Sequence, residues 1–317
     1  KQLEAIAIGL QALELLGVRL PQSPSSLDLQ HALSRTATNL AGKNIEDLID
    51  LPLMTEVDKL AAIRMLTSLG SPTYQAAPML FPLVVCEQVN LSLEFGNTPF
   101  SAYGYVCYGV ILNGIVEDVE SAYQFGKLAL NLVERFNTLE LKTSVFFVAG
   151  SCTMHGKVHA KETLPLLLNG YQNGLENGHF EYGGYAAMQR CQYSYFTGQE
   201  LANLERDMAN VSDALLQLKQ ENALSWNQIF QQSVANLLEP TQNRCCLLGK
   251  AYNEERSLPL LQKANDRTGL HYFYINKLIL CYLFGEYEQA LENAERAVQY
   301  LDGVKAFLVV PVFYFYD

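Results

Sequence analysis

YFYINKLILCYLFGEYEQALENAERAVQYL, residues 272–301, decides the fold. Its apolar residues recur with the period of a helix, break at Gly285, and resume with that period. Gly285, Tyr287, Ala290 and Ala297 fall at the offsets G-x-Y-x-x-A-x6-A of the tetratricopeptide (TPR) consensus. The spacing has a packing cause. Small Ala290 and Ala297 let the second helix nest against the first, Gly285 makes the tight turn, and Tyr287 fills the gap beside it.

Working outward, VEDVESAYQFGKLALNLVERF (116–136) carries Ala122 and Ala129 at the same separation, and QLEAIAIGLQALELLG (2–17) carries Ala5 and Ala12. This last stretch reads as the second helix of a pair. Weaker echoes occur in AKETLPLLLNGYQNGL and GQELANLERDMANV. Helical periods cover 1–17, 27–41, 55–69, 73–95, 99–113, 117–136, 138–155, 160–177, 180–197, 199–219, 221–238, 254–267, 269–284, 286–301 and 304–316. Short connections force neighbours to run antiparallel. Only 17–26, with Pro21 and Pro24, reads as a loose linker. The expected fold is therefore all-α, a TPR-like α-α superhelix (a helical-repeat solenoid) of about 14 to 16 antiparallel helices. One module over residues 1–317 is expected, and it reads as a segment cut from a longer chain, because the sequence begins inside a helical pattern and ends inside an apolar one.

Of the 317 residues, 49% are hydrophobic, so a large core is available, while only 17% are charged and the net charge is −11. An acidic chain without a Lys/Arg cluster is a poor match to nucleic acid or to an anionic membrane surface. No apolar run reaches the roughly 20 residues that span a bilayer. The tail VKAFLVVPVFYFYD is the nearest approach, and Pro311 interrupts it. The seven cysteines are scattered through apolar helical patterns, which suits reduced thiols in a cytoplasmic compartment. Cys245 and Cys246 are adjacent, but a disulfide between neighbours closes a strained ring.

Motifs for catalysis are absent from the sequence. The nearest thing to a phosphate-binding loop, AGKNI at 41–45, lacks the first glycine and the hydroxyl residue. The expectation is no enzyme activity and no cofactor. Cys152, His155 and His159, in SCTMHGKVHA, are the one metal-ligand candidate, since on an unbroken helix they would share a face. Gly156 argues for a turn between His155 and His159. His155 then serves a helix C-terminus and Cys152 the core.

The 18 tyrosines gather in first helices of pairs: SAYGYVCYG, EYGGYAAMQRCQYSYF and HYFYINKLILCYLF. Packing between helices is the plainer account of them. First helices of TPR pairs also line a concave groove, which makes Tyr185, Gln192, Tyr195, Tyr272 and Tyr282 candidates for binding a protein or peptide. The same register places Arg190 and Lys277 at offsets normally packed in the core. Trp226 is expected beneath a helix pair. Asn113 and Asn276 would either bond across helices or face a ligand.

ALELLGVRLP (12–21), IEDLIDLPLMTEVDKLAAIRMLTSLGSPTY (45–74), VNLSLEFGNTPFSAYGYVCYGVILNG (89–114) and YQFGKLALNLVERF (123–136) resemble the helical region of very large cyanobacterial signalling proteins. In that family a serine/threonine kinase and a STAND-type ATPase domain precede this region, and in some members GAF and histidine kinase domains follow it. The resemblance implies a non-catalytic interaction and regulatory module that couples recognition of a ligand or partner to the neighbouring ATPase and kinase. The alternative is an architectural spacer between kinase and sensor domains. None of the family's catalytic positions lies in this stretch.

Overall fold

Helix α13 (Arg267–Leu283) shows how the chain organises itself. Its run from Gly269 to Ile275 is buried, and so are Asn276, Leu278, Ile279, Leu280 and Cys281. A helix apolar on every side is a central helix, covered by neighbours all round. In the computed structural model, which describes residues 2–239 and 243–317, this pattern recurs wherever a first helix of a pair was expected. Fifteen α-helices form among those residues, and the only β-pairing is at the isolated bridges Leu53–Asn97 and Leu248–Asn253. The all-α class is as expected. Contacts divide the chain into two compact units, with the boundary in the sequence between Ala149 and Gly150.

The first unit contains α1 (Gln2–Leu15), α2 (Ser26–Leu40), α3 (Val57–Ala76), α4 (Phe81–Phe95), α5 (Ser101–Ile111), α6 (Val119–Phe136) and α7 (Leu139–Val148). Helix α5 has no charged residue and is buried from end to end. It lies against α4, α6 and α7. On α6 the buried stripe includes Ala122, Phe125, Ala129 and Leu132, as the alanine spacing required. Asp118 caps its start by accepting from the Ser121 N–H at 3.0 Å.

One buried face and two boundaries differ from expectation. On α1 the buried stripe is Ile6, Gly9, Leu10 and Leu13. Ala5 is exposed, and the small residue that admits a neighbour is Gly9, where an added Cβ would lie 2.7 Å from Leu69 Cδ2. Helix α3 continues through Pro72 to Ala76 instead of stopping before it. Next to the proline, the Thr73 hydroxyl donates to the carbonyls of Leu69 (2.6 Å) and Gly70 (3.0 Å). Finally, α7 ends at Val148 and continues as a π-helical turn, 149–153, rather than as α-helix to 155.

The second unit contains α8 (Ala160–Asn177), α9 (Phe180–Phe196), α10 (Leu201–Gln217), α11 (Glu221–Leu238), α12 (Glu254–Ala264), α13, α14 (Tyr287–Ala297) and α15 (Val309–Tyr316). Here α9, α11, α13 and α15 pack in series, and α10, α12 and α14 pack beside their partners, the arrangement of an α-helical repeat. Ala290 and Ala297 are buried as the consensus spacing required. The α8–α9 pair crosses closely at Gly174 and Gly183, where a Cβ on Gly174 would lie 2.8 Å from the Gly183 Cα.

Candidate recognition site

The last turns of α9, α11 and α13 surround a cavity of about 470 Å³ that α15 walls on the remaining side. From α9 come Tyr195 and Phe196, from α11 Leu237, and from α13 Ile279 and Leu283. Leu308, Pro311, Val312, Phe315 and Tyr316 supply the rest. Helix α15 can do this because it is apolar on both faces. Val309 and Phe313, one turn apart, are buried, and the Phe313 ring stands 5.8 Å from that of His271 on α13. Pro311 and Phe315, one turn apart and exposed, fall on its other side, and half-buried Val312 and Tyr316 lie on the flank between the two.

Two hydrogen bonds locate α15. The Tyr193 phenol donates to the Ser151 carbonyl at 2.5 Å and accepts from the Leu308 N–H at 3.3 Å. Burial raises the Tyr193 pKa well above that of a free phenol, so the donor stays protonated. Burial likewise pushes the Tyr195 phenol up to about 12.

The cavity mouth carries an exposed aromatic patch. Tyr282 is 47% exposed and stands edge-on to Tyr316 with centroids 5.5 Å apart, and 6.0 Å from Tyr287. Phe315, at 80% exposure, lies 5.1 Å from Tyr316. Exposed aromatic surface around a concave apolar site is the usual composition of a recognition surface.

The sequence candidates divide. Tyr195 lines the cavity and Tyr282 stands at its rim. Tyr272 is buried in the core, edge-on to Trp226 at 5.9 Å and to Phe230 at 5.3 Å. Gln192 is fully buried, hydrogen-bonded to Gln189 and to the Tyr272 phenol. Tyr185 stacks on Trp226 at 5.5 Å and 20°. Trp226 thus sits between two tyrosines, its indole N–H donating to Asp266 at 2.8 Å. Asn276 bonds within its own helix, Nδ2 to the Tyr272 carbonyl, at 2.8 Å. Asn113 lies in a second π-helical turn, 112–116. Lys277, at its core offset, pairs with Glu254 at 2.8 Å, each side chain 16% exposed. Phe196, Leu283, Phe315 and Tyr316 were not anticipated. For Phe315 and Tyr316 the signal was the apolar tail, which the sequence reading took as a last helix and weighed as a membrane segment, but not as a binding wall.

Cys152, His155 and His159 take separate positions. Cys152 is buried in the π-helical turn. His155 follows that turn, and its Nε2 lies 2.8 Å from the Ala306 carbonyl. Loss of water around the ring holds the His155 pKa below its ordinary value. His159 lies beyond a further turn, 154–158, and caps α8, its Nδ1 accepting from the Lys161 N–H at 3.1 Å while its own N–H donates to Glu162 at 3.2 Å. Among the described residues no three His, Cys, Asp or Glu side chains come together as a metal site. Nor is any described helix long and apolar enough to cross a membrane.

No family model matches the chain, and no curated protein matches it.

Proposed function

We propose that the chain is a non-catalytic interaction and regulatory module of a multidomain cytoplasmic signal-transduction protein, and that it recognises a protein or peptide at the α9–α11–α13–α15 cavity. The observation that carries this reading is the exposed ring cluster of Tyr282, Phe315 and Tyr316 around an apolar cavity. Burying those rings against a partner supplies the free energy of association. The resemblance of residues 12–21, 45–74, 89–114 and 123–136 to a family with serine/threonine kinase and STAND-type ATPase domains supports placing the module beside such domains.

Recognition becomes regulation through linkage. A partner shifts the ATPase between its states only by the difference in its affinity for the two. The test is to measure ATP hydrolysis by the neighbouring ATPase domain with the chain added in trans. A change in rate that Phe315→Ala and Tyr282→Ala together abolish is the expected result. A rate indifferent to the chain favours the second reading, an architectural spacer. The burial of Tyr272 and Gln192 against the protein's own helices favours that alternative.

A further inference from the structure

We propose that Cys245 and Cys281 are a redox-active thiol pair, closed to a disulfide by a peroxide whose oxidising equivalent enters through Cys246. The inference stands apart from the recognition reading. Cys281 lies in the last turns of α13, and Cys245 in the segment between α11 and α12. Contacts on both sides of Cys245 hold that segment against α13. The Arg244 guanidinium lies over the Phe284 ring, 5.0 Å from its centroid. The Leu247 N–H donates to Glu254 at 2.7 Å, and Glu254 pairs with Lys277 at 2.8 Å. Lys277 and Phe284 stand one turn before and one turn after Cys281, so the residue between these contacts is delivered opposite it.

Asn236 on α11 fixes the main chain here, its Nδ2 donating to the Arg244 carbonyl at 3.0 Å and to the Cys246 carbonyl at 2.7 Å. The Cys281 thiol accordingly hydrogen-bonds to Cys245, and the Asn293 Nδ2 approaches the Cys281 sulfur at 3.9 Å. Cys86 and Cys107 are instead hydrogen-bonded to the side chains of Thr36 and Tyr103.

Cys245 and Cys281 are buried and Cys246 is half-buried, so a peroxide meets the Cys246 sulfur first. The Cys246 thiolate attacks the peroxide. An S–O bond forms as the O–O bond breaks, and the departing hydroxide takes up the thiol's proton as water. The Cys245 sulfur then attacks this sulfenic acid, and its proton leaves with the hydroxyl as a second water. Disulfides between neighbouring residues are strained. The Cys281 thiol opens this one by attacking the Cys245 sulfur, and Cys246 leaves with the Cys281 proton, a thiol again. Two thiols lose two electrons and the peroxide becomes two waters. Burial raises the Cys246 thiol pKa and pushes that of Cys281 up to about 12, so the pair rests reduced until a peroxide is present. The bond would fix the last turn of α13 beside Tyr282, at the rim of the cavity.

The whole chain, reduced and folded, is treated with hydrogen peroxide, alkylated with N-ethylmaleimide and digested without reductant for peptide mapping by mass spectrometry. The expected product is an intramolecular link from Cys245 to Cys281. Cys245→Ser and Cys281→Ser should lose it, and Cys246→Ser should form it about fivefold or more slowly. Four results would each overturn the inference. They are no such link in the folded wild type, a link that forms only in urea sufficient to unfold the chain, a link to Cys281 that survives in Cys245→Ser, and a Cys246→Ser rate equal to that of the wild type.

Discussion

Tyr193 and Ser151 are joined by a 2.5 Å hydrogen bond from phenol to main-chain carbonyl, and the same phenol accepts from the Leu308 N–H. One fully buried side chain therefore ties the π-helical turn before α8 to the start of α15, the helix that walls the cavity. Removing the hydroxyl leaves a buried carbonyl and an N–H without it. Tyr193→Phe should cost about 1–3 kcal/mol, read as a lowered Tm. It should also loosen α15, read as faster amide exchange from residue 309 onward than in α9.

The Lys277–Glu254 pair makes a different kind of prediction. Both side chains are 16% exposed, and Glu254 also accepts from the Leu247 N–H at 2.7 Å. Lys277→Met alone leaves a poorly hydrated carboxylate and should destabilise by about 3 kcal/mol. Adding Glu254→Gln removes the orphaned charge and keeps an acceptor for Leu247. Chemical denaturation should then show the double variant more stable than Lys277→Met alone.

His271 makes the fold sensitive to acid. It is fully buried on α13, its Nδ1 lies 3.0 Å from the Ala297 carbonyl, and burial lowers its pKa from 6.5 to about 4. Below about pH 6.5 the unfolded chain takes up a proton that the folded chain refuses. This contribution to stability is complete above pH 6.5 and falls away towards pH 4, by about 3 kcal/mol. The His155 pKa is lowered in the same direction. His271→Gln should flatten the stability profile between those limits in denaturation curves collected across that range.

Much of this fold is legible in the sequence, and the illegible parts have definite causes. Ala122 with Ala129 and Ala290 with Ala297 announced their buried faces because each small residue lies against a partner helix. The same reasoning misplaced the stripe on α1, where Gly9 rather than an alanine provides the small position. The end of α7 was hidden because AGSCT contains no proline and its one glycine, Gly150, lies inside a π-helical turn that keeps helical backbone angles. Lys277 at a core offset looked like an error of register, whereas Glu254, on α12, meets it there. The cavity was the hardest part to read. Its walls come from last turns separated by dozens of residues, and α15 has no polar face to show which way it turns.

Recognition at the cavity bounded by Tyr195, Tyr282, Phe315 and Tyr316 is read most directly by calorimetric titration of the chain with the ATPase domain proposed to neighbour it. The comparison is between the wild type, the Phe315→Ala, Tyr282→Ala double variant, and Leu260→Ala, a control on α12 at a position 65% exposed. The double substitution is expected to weaken binding by about tenfold or more, while the control binds as the wild type does. Unchanged binding by the double variant, or its loss in Leu260→Ala, would contradict it.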